Sequence, residues 1–165
     1  MSSPITCPRQ LVRPEWIDYN GHLNMAYYHV LFDKALDHVF DEIGVGEAYV
    51  RTGQGSCFVL EVHVHYLQEL SLDDPVDIRF QLLDYDHKRI HFIEQMFHAD
   101  QGYLAATSEQ LTLHVNMQTR RASDFPADVQ TRLATMLNDH AHLPIPEQVG
   151  HSIGIRRSVE HSGMT

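Results

Sequence analysis

Cysteine is nearly absent. The chain has two, Cys7 and Cys57, far apart and in no metal-type spacing. That excludes a disulfide framework or a thiolate zinc site and leaves both as free thiols. Long apolar runs are also missing; none approaches the ~20 residues of a membrane-spanning helix. The chain opens Met1-Ser2-Ser3-Pro4, with no positive-then-apolar leader. These absences predict a cytoplasmic protein without a membrane partner. Positive charge is scarce: 12 Lys and Arg stand against 22 Asp and Glu, for a net charge of −10 with His neutral. A nucleic-acid binder needs a basic face to displace counterions, so nucleic acid is excluded as a partner. Internal repeats and low-complexity segments are absent too.

What is present is ordinary globular usage: 165 residues, 43% hydrophobic and 21% charged, enough for one domain with a real core. Thirteen histidines are many; titrating them below about pH 6.5 shrinks the negative charge, to no assignable purpose. Residues 1–10, with Pro4 and Pro8, read as a loose lead-in. Leu11-Val12 and Trp16-Ile17 flank Arg13-Pro14-Glu15, which predicts a short, proline-interrupted edge strand ending at Asp18. From Met25 to Ile43 the period becomes helical: Tyr28, Phe32, Ala35, Leu36, Val39, Phe40 and Ile43 form one stripe. Asn24 suits the N-cap and Gly44 the residue after the helix. A loop to Gly55 follows, then strands over Cys57–Leu67, Val76–Leu82, Arg89–Phe97 and Tyr103–Val115, with a turn at Asp84–His87. Leu111, Leu113 and Val115 share one face of the last strand. Their short connections imply antiparallel pairing. Pro126 opens a final helix with Val129, Leu133, Met136 and Leu137 as its stripe. Residues 1–146 form the domain, and 147–165 are expected to be a mobile tail. A long helix against an antiparallel sheet is an α+β layer architecture.

One segment gathers chemistry. Asp18, Asn20, His22 and Asn24 fall at alternate positions beside a helix N-terminus, where unsatisfied backbone N–H groups and the positive end of the dipole point. A thioester carbonyl needs an attacking oxygen, from a carboxylate or a water it activates, and donors aimed at the developing oxyanion. Asp18 can supply the first and the backbone N–H of Met25 the second. A polar turn and helix cap would contain the same residue types, and chemistry alone slightly favours that plainer reading.

The pattern Asp18-x-Asn20-x-His22, with Asn24 and Tyr27-Tyr28 after it, resembles the hotdog-fold thioesterases, in particular the acyl-ACP and 4-hydroxybenzoyl-CoA branches. The resemblance implies a single-domain hotdog fold, a long central helix wrapped by an antiparallel sheet. It implies Asp18 as nucleophile or general base, the Met25 N–H as oxyanion hole, and an auxiliary carboxylate near Glu69. It also implies pairing of sheets across a homodimer or homotetramer, with sites between subunits. A narrower resemblance spans most of the chain: Val12 to His22, Leu60-Glu61-Val62-His63, Tyr66-Leu67-Gln68-Glu69, Lys88-Arg89-Ile90-His91 and Leu113-His114-Val115 are similar to the betainyl-CoA thioesterases of carnitine degradation. Some of these are fused to a carnitine dehydrogenase, which has no counterpart in these 165 residues.

That family implies hydrolysis of a small acyl-CoA, betainyl-CoA, to glycine betaine and CoA, without a cofactor. A quaternary ammonium cannot donate a hydrogen bond and sits against aromatic faces. Trp16 and Tyr19 are the first candidates for that cage, then Tyr27, Tyr66 and Tyr28, the last of which its core stripe speaks for more strongly, with Glu61 and His63 at its polar edge. Polyanionic CoA needs a local basic patch, for which Lys88, Arg89, Arg120 and Arg121 are candidates; each pair alone also reads as solvated turn charge. Glu61, His63 and His65 share a strand face and could meet a zinc ion, but nothing matches a further ligand, so no metal is expected. A hotdog hydratase or dehydratase, or a non-catalytic binder of an acyl or quaternary-ammonium ligand, are the alternatives.

Overall fold

The computed structural model describes residues 3–155. In chain order the elements are β1 (Ile5–Thr6), β2 (Gln10–Leu11), a 3₁₀ turn (Pro14–Trp16), α1 (Met25–Ile43), α2 (Glu47–Arg51), β3 (Gly55–Tyr66), β4 (Pro75–Tyr85), β5 (Arg89–His98), β6 (Leu104–Asn116), β7 (Arg121–Ala122) and α3 (Ala127–His140). The long helix starts and stops where its sequence requires. The Asn24 side chain accepts from the Ala26 N–H at 3.0 Å, and Gly44 turns left-handed (φ 86°), its N–H closing onto Phe40 and Asp41 carbonyls.

The strands form one antiparallel sheet in the order β1-β4-β5-β6-β3, with β2 also on β4 and β7 on β6. The buried α1 stripe of Tyr28, Leu31, Phe32, Ala35, Leu36, Val39 and Ile43 shares one core with Ile78, Phe80 and Leu82 of β4 and with Ile90, Phe92 and Met96 of β5. The alternating β4 pattern therefore puts its apolar set under the helix. This is the α+β layering that the sequence pattern implied, in the hotdog form that the resemblance implied. No helix among the described residues is long and apolar enough to cross a membrane.

Several local expectations change. The described part of the 1–10 segment, residues 3–10, is not a loose lead-in: β1 and β2 pair with β4, and Cys7 is buried, its N–H donating to Ile78 O at 2.9 Å. Two short strands interrupted by proline satisfy one long edge without a ladder Pro8 could not complete. Pro14 then starts the 3₁₀ turn, so Asp18 follows that turn and a single Ile17–Leu23 bridge rather than ending a strand. The Gly44–Gly55 loop contains α2. Asp84 and Tyr85 extend β4, and the turn is tighter because Asp86 Oδ1 accepts the Lys88 and Arg89 N–H groups at 2.9 and 2.7 Å.

On β6 the helix side carries Ser108, Gln110, Thr112 and His114, while Leu111 and Leu113 face away, half-buried. The polar residues are affordable there because most are partnered: Gln110 donates to Glu94 and Ser108, and His114 meets Tyr49 and Ser123. Of the 147–165 segment, residues 156–165 lie outside the described residues. In the described part the Gly150 N–H donates to Glu109 Oε2 at 2.8 Å, and the His151 ring sits 4.9 Å from that of His65.

Candidate active site

The turn ahead of α1 is built by its own backbone. The Asp18 N–H donates to His22 O at 3.1 Å and the Gly21 N–H to Asp18 O at 3.0 Å, with Gly21 at φ 84°, where a Cβ would be strained. Leu23 N–H donates to Leu70 O, tying the turn to the β3–β4 connection, and Asn24 N–H donates to Trp16 O. Asp18 is thereby fixed beside the first turn of α1.

The Asn20 N–H donates to Asp18 Oδ1 at 2.8 Å and orients the carboxylate. Oδ2 makes no hydrogen bond among the described residues. The Asn24 cap occupies the Ala26 N–H, while the Met25 N–H finds no acceptor among the described residues. A recess of about 470 Å³ is lined by Asp18, Tyr19, Asn20, His22, Leu23, Asn24 and Met25 on one side, and by Tyr28 and Tyr66 to Glu69 on the other. Its lining includes two carboxylates, Asp18 and Glu69, and no Lys or Arg. His22 Nε2 lies 3.7 Å from Glu69 Oε2, an ion pair when the ring is protonated and too long for a hydrogen bond.

The aromatic wall is a Tyr28–Tyr66 pair, edge to face at 5.1 Å. Tyr66 hydroxyl donates to Met25 O at 3.2 Å, pinning the end of β3 to the start of the helix. Burial pushes the Tyr28 phenol up to about 12, so it stays a neutral donor, directed at Gln68 O.

The structure brings Asp18, Asn20, His22, Asn24, Met25, Glu69, Tyr19 and Tyr66 to one recess. Tyr19 is 98% exposed and stands at its rim. Trp16 and Tyr27 do not reach it: they stack on each other at 5.7 Å, and Trp16 lines a separate recess behind the turn. The 3₁₀ turn, in place of the expected strand, rotates Trp16 inward to the core. Glu61 and His63 lie on the sheet face away from α1, in another recess with His91 and Glu109. Period two put them there together, on the face turned away from α1. His63 and His65 rings are 4.7 Å apart, yet no group of three or more His, Cys, Asp or Glu among the described residues could hold a metal ion.

Lys88, Arg89, Arg120 and Arg121 cluster at the far end of β5 and β6, roughly 24 Å along the strands from the recess at 3.4 Å per residue. Arg89 is committed to Asp86 through a fork of side-chain hydrogen bonds, which holds the Asp86 carboxyl down to about 2. Tyr28, a cage candidate that its place on the apolar stripe assigned to the core, lines the recess as well. It belongs to both.

A family model described as the thioesterase-like superfamily matches residues 12–133. The chain is 37% identical over 155 residues to the betainyl-CoA thioesterase of Pseudomonas aeruginosa, covering 94% of this chain and 98% of that protein. It is 35% identical to the L-carnitine dehydrogenase/betainyl-CoA thioesterase of Rhizobium meliloti, over 94% of this chain and 31% of that longer protein. Among solved structures, a hypothetical protein of Staphylococcus aureus in complex with CoA superposes with a TM-score of 0.87 at 31% identity, covering 94% of this chain and 98% of that one. A putative thioesterase of Pseudomonas putida gives a TM-score of 0.81 at 30% identity, over 94% and 99% of the two chains.

Proposed function

The chain belongs to the thioesterase-like superfamily and is an acyl-CoA thioesterase, and from that premise we propose that its substrate is betainyl-CoA, hydrolysed to glycine betaine and CoA at the Asp18 recess. One observation supports the site: a carboxylate oxygen and a helix N–H, each without a hydrogen-bond partner among the described residues, belong to residues that line the same recess. Asp18 acts as base toward water or as nucleophile. The Met25 N–H receives the oxyanion, strengthened by the positive end of α1. His22 and Glu69 flank the carbonyl, and Asn20 and Asn24 hold the carboxylate and the helix start.

The acyl group follows from the lining. Two carboxylates and three tyrosines, with no Lys or Arg, suit a cation that offers no N–H. Each cation–aromatic contact contributes roughly 0.5–2 kcal/mol. Tyr66 and Tyr28 take the role expected of Trp16 and Tyr27, with Tyr19 at the rim. The Pseudomonas aeruginosa relative supports the same acyl group.

The working unit is two copies joined through β3. Among the described residues that strand pairs only with β6, and its Phe58, Val59, Leu60 and Val62 are exposed, an edge that a monomer leaves open to pairing. A cytoplasmic location keeps Cys7 and Cys57 reduced.

The test is thiol release from an acyl-CoA panel that includes betainyl-CoA and its neutral isostere, 3,3-dimethylbutanoyl-CoA. Betainyl-CoA is expected to be turned over at least about tenfold more efficiently, the value of one or two cation–aromatic contacts. Equal efficiency for the two would sink the cation assignment while leaving the thioesterase intact.

A further inference from the structure

Basic side chains are few in this protein, and they are not spread evenly. Arg9, Arg13 and Lys34 line one recess of about 550 Å³ on the far side of the Pro14–Trp16 turn, with Asp73 the one carboxylate in its lining. Arg9 is already matched, its guanidinium forked onto Asp77 at 2.8 and 2.9 Å and 3.7 Å from Asp100. Arg13 reaches only Glu15, at 4.0 Å, and Lys34 makes no ion pair among the described residues.

Arg13 and Lys34 share one ring. The Arg13 guanidinium lies 5.3 Å and the Lys34 ammonium 5.4 Å from the Trp16 ring centroid, and Trp16 is itself buried and stacked on Tyr27. The indole attracts each cation but neutralises neither. Against these two positive charges the recess sets Asp73 in its lining and Glu15 at 4.0 Å from Arg13; a dianion bound there gains from both cations. An arginine and a lysine converging from two elements suit a tetrahedral oxyanion with several acceptor oxygens.

We propose that this recess binds a phosphate group, and that on an acyl-CoA the phosphate is one at the nucleotide end. The second half rests on the thioesterase reading above. Lys34 lies nine positions beyond Met25 on α1, about 14 Å at the helical rise, a span within reach of a pantetheine arm. Trp16 O takes the Asn24 N–H at 3.0 Å, so the phosphate recess and the catalytic turn share a backbone.

The experiment has two arms. Calorimetry measures inorganic phosphate and adenosine 3′,5′-bisphosphate binding to the wild type, Arg13→Gln, Lys34→Gln and Lys34→Arg. Kinetics compares an acyl-CoA with the same acyl group on N-acetylcysteamine, which carries no phosphate. Each Gln variant is expected to weaken the bisphosphate and raise KM for the acyl-CoA by about tenfold, the worth of one charge-assisted bond. Lys34→Arg restores both, and the N-acetylcysteamine thioester is unaffected.

Phosphate binding lost in the variants with an unchanged acyl-CoA KM keeps the site but overturns its assignment to CoA. A KM rise in Arg120→Gln or Arg121→Gln, without one in Lys34→Gln, overturns that assignment as well. Binding of both probes unaltered by either Gln variant overturns the site itself. If the wild type hydrolyses neither thioester, the thioesterase reading fails and calorimetry still decides the phosphate site.

Discussion

Two carboxylates near α1 are placed in opposite ways. Asp18 stands in the turn ahead of the helix, one oxygen held by the Asn20 N–H and the other open to a recess. Glu94 stands in the middle of β5 beneath the helix, fully buried, opposite Phe80 and Ser108. Gln110 donates to its Oε2 at 3.0 Å, and its Oε1 has no partner among the described residues. Burial first, and Asp33 second, hold its carboxyl well above the usual range, so it keeps its proton. The contrast shows that a strongly shifted acid is no guide to the active one here. Access to the recess and the orphan donors beside it favour Asp18 in the proposed reading, whereas Glu94 sits in the core with burial favouring its protonated form.

Exchanging each acid for its amide sharpens that contrast most. Asp18→Asn keeps an oxygen for the Asn20 N–H and removes the attacking or proton-accepting group. We expect kcat to fall about 10³-fold, the scale of losing a general base, with an unchanged melting temperature. Glu94→Gln is expected to leave turnover within about threefold, since no reacting group is touched. The reverse pattern in thiol release would exchange the roles of the two acids.

The pH dependence of stability separates the two regions next. Glu94 binds a proton in the folded chain that it releases on unfolding above its ordinary value of 4.5. Its contribution is therefore full below that pH and is lost as pH rises toward and through its raised folded value. Glu94→Gln removes the penalty and is expected to gain about 2 kcal/mol over the wild type at pH 8, with little gain at pH 4. His140 acts in the opposite sense. Burial lowers its pKa, and its Nδ1 accepts the Leu82 N–H at 2.9 Å where β4 bulges. Its contribution is present above its ordinary 6.5 and is lost as pH falls through the lowered folded value. Melts of wild type and Glu94→Gln across this range test both signs; an alkaline gain absent from the variant would mean that Glu94 is ionised in the fold.

On the turn side, Tyr66→Leu removes the half-exposed aromatic of the recess wall. It is expected to lower kcat/KM for betainyl-CoA about tenfold and to leave 3,3-dimethylbutanoyl-CoA nearly unchanged, because only the cation feels the ring quadrupole. Tyr66→Phe keeps the ring while dropping the Met25 tether, so it reports on the tether alone. Equal losses for both substrates in Tyr66→Leu would reduce the ring to packing.

The contrast also explains what could be read from the chain. Helix α1 was legible to the residue because its period, Asn24 and Gly44 all act locally. The four long strands were legible from alternation and short turns. The turn and cap from Asp18 to Met25 were legible because they lie within one short stretch, while the role proposed for them came from the family resemblance. What failed depends on distant partners. Whether Glu61 and His63 face the recess is decided by which side of β3 the helix covers, and alternation leaves that sign free. Trp16 beside Asp18 looked like a cage wall; the 3₁₀ turn sends it into the core. Nothing local marks Glu94 as a buried residue; its register with Phe80 and Ser108 places it beneath α1.

The smallest expected effect lies in the cap that joins the two regions. Asn24→Ala loses the bond to the Ala26 N–H, a change expected to cost about 1 kcal/mol in a denaturant melt. Asn24→Asp keeps that acceptor and adds a charge favoured by the helix dipole, so it is expected to melt no lower than the wild type. Its carboxylate then competes with the oxyanion for the same N-terminal donors. Turnover should consequently drop several-fold in the more stable variant, by the same electrostatics that make the donors useful. If Asn24→Asp is instead as active as the wild type, the oxyanion does not rest on the first turn of α1, and Asp18 works against a donor elsewhere in the recess.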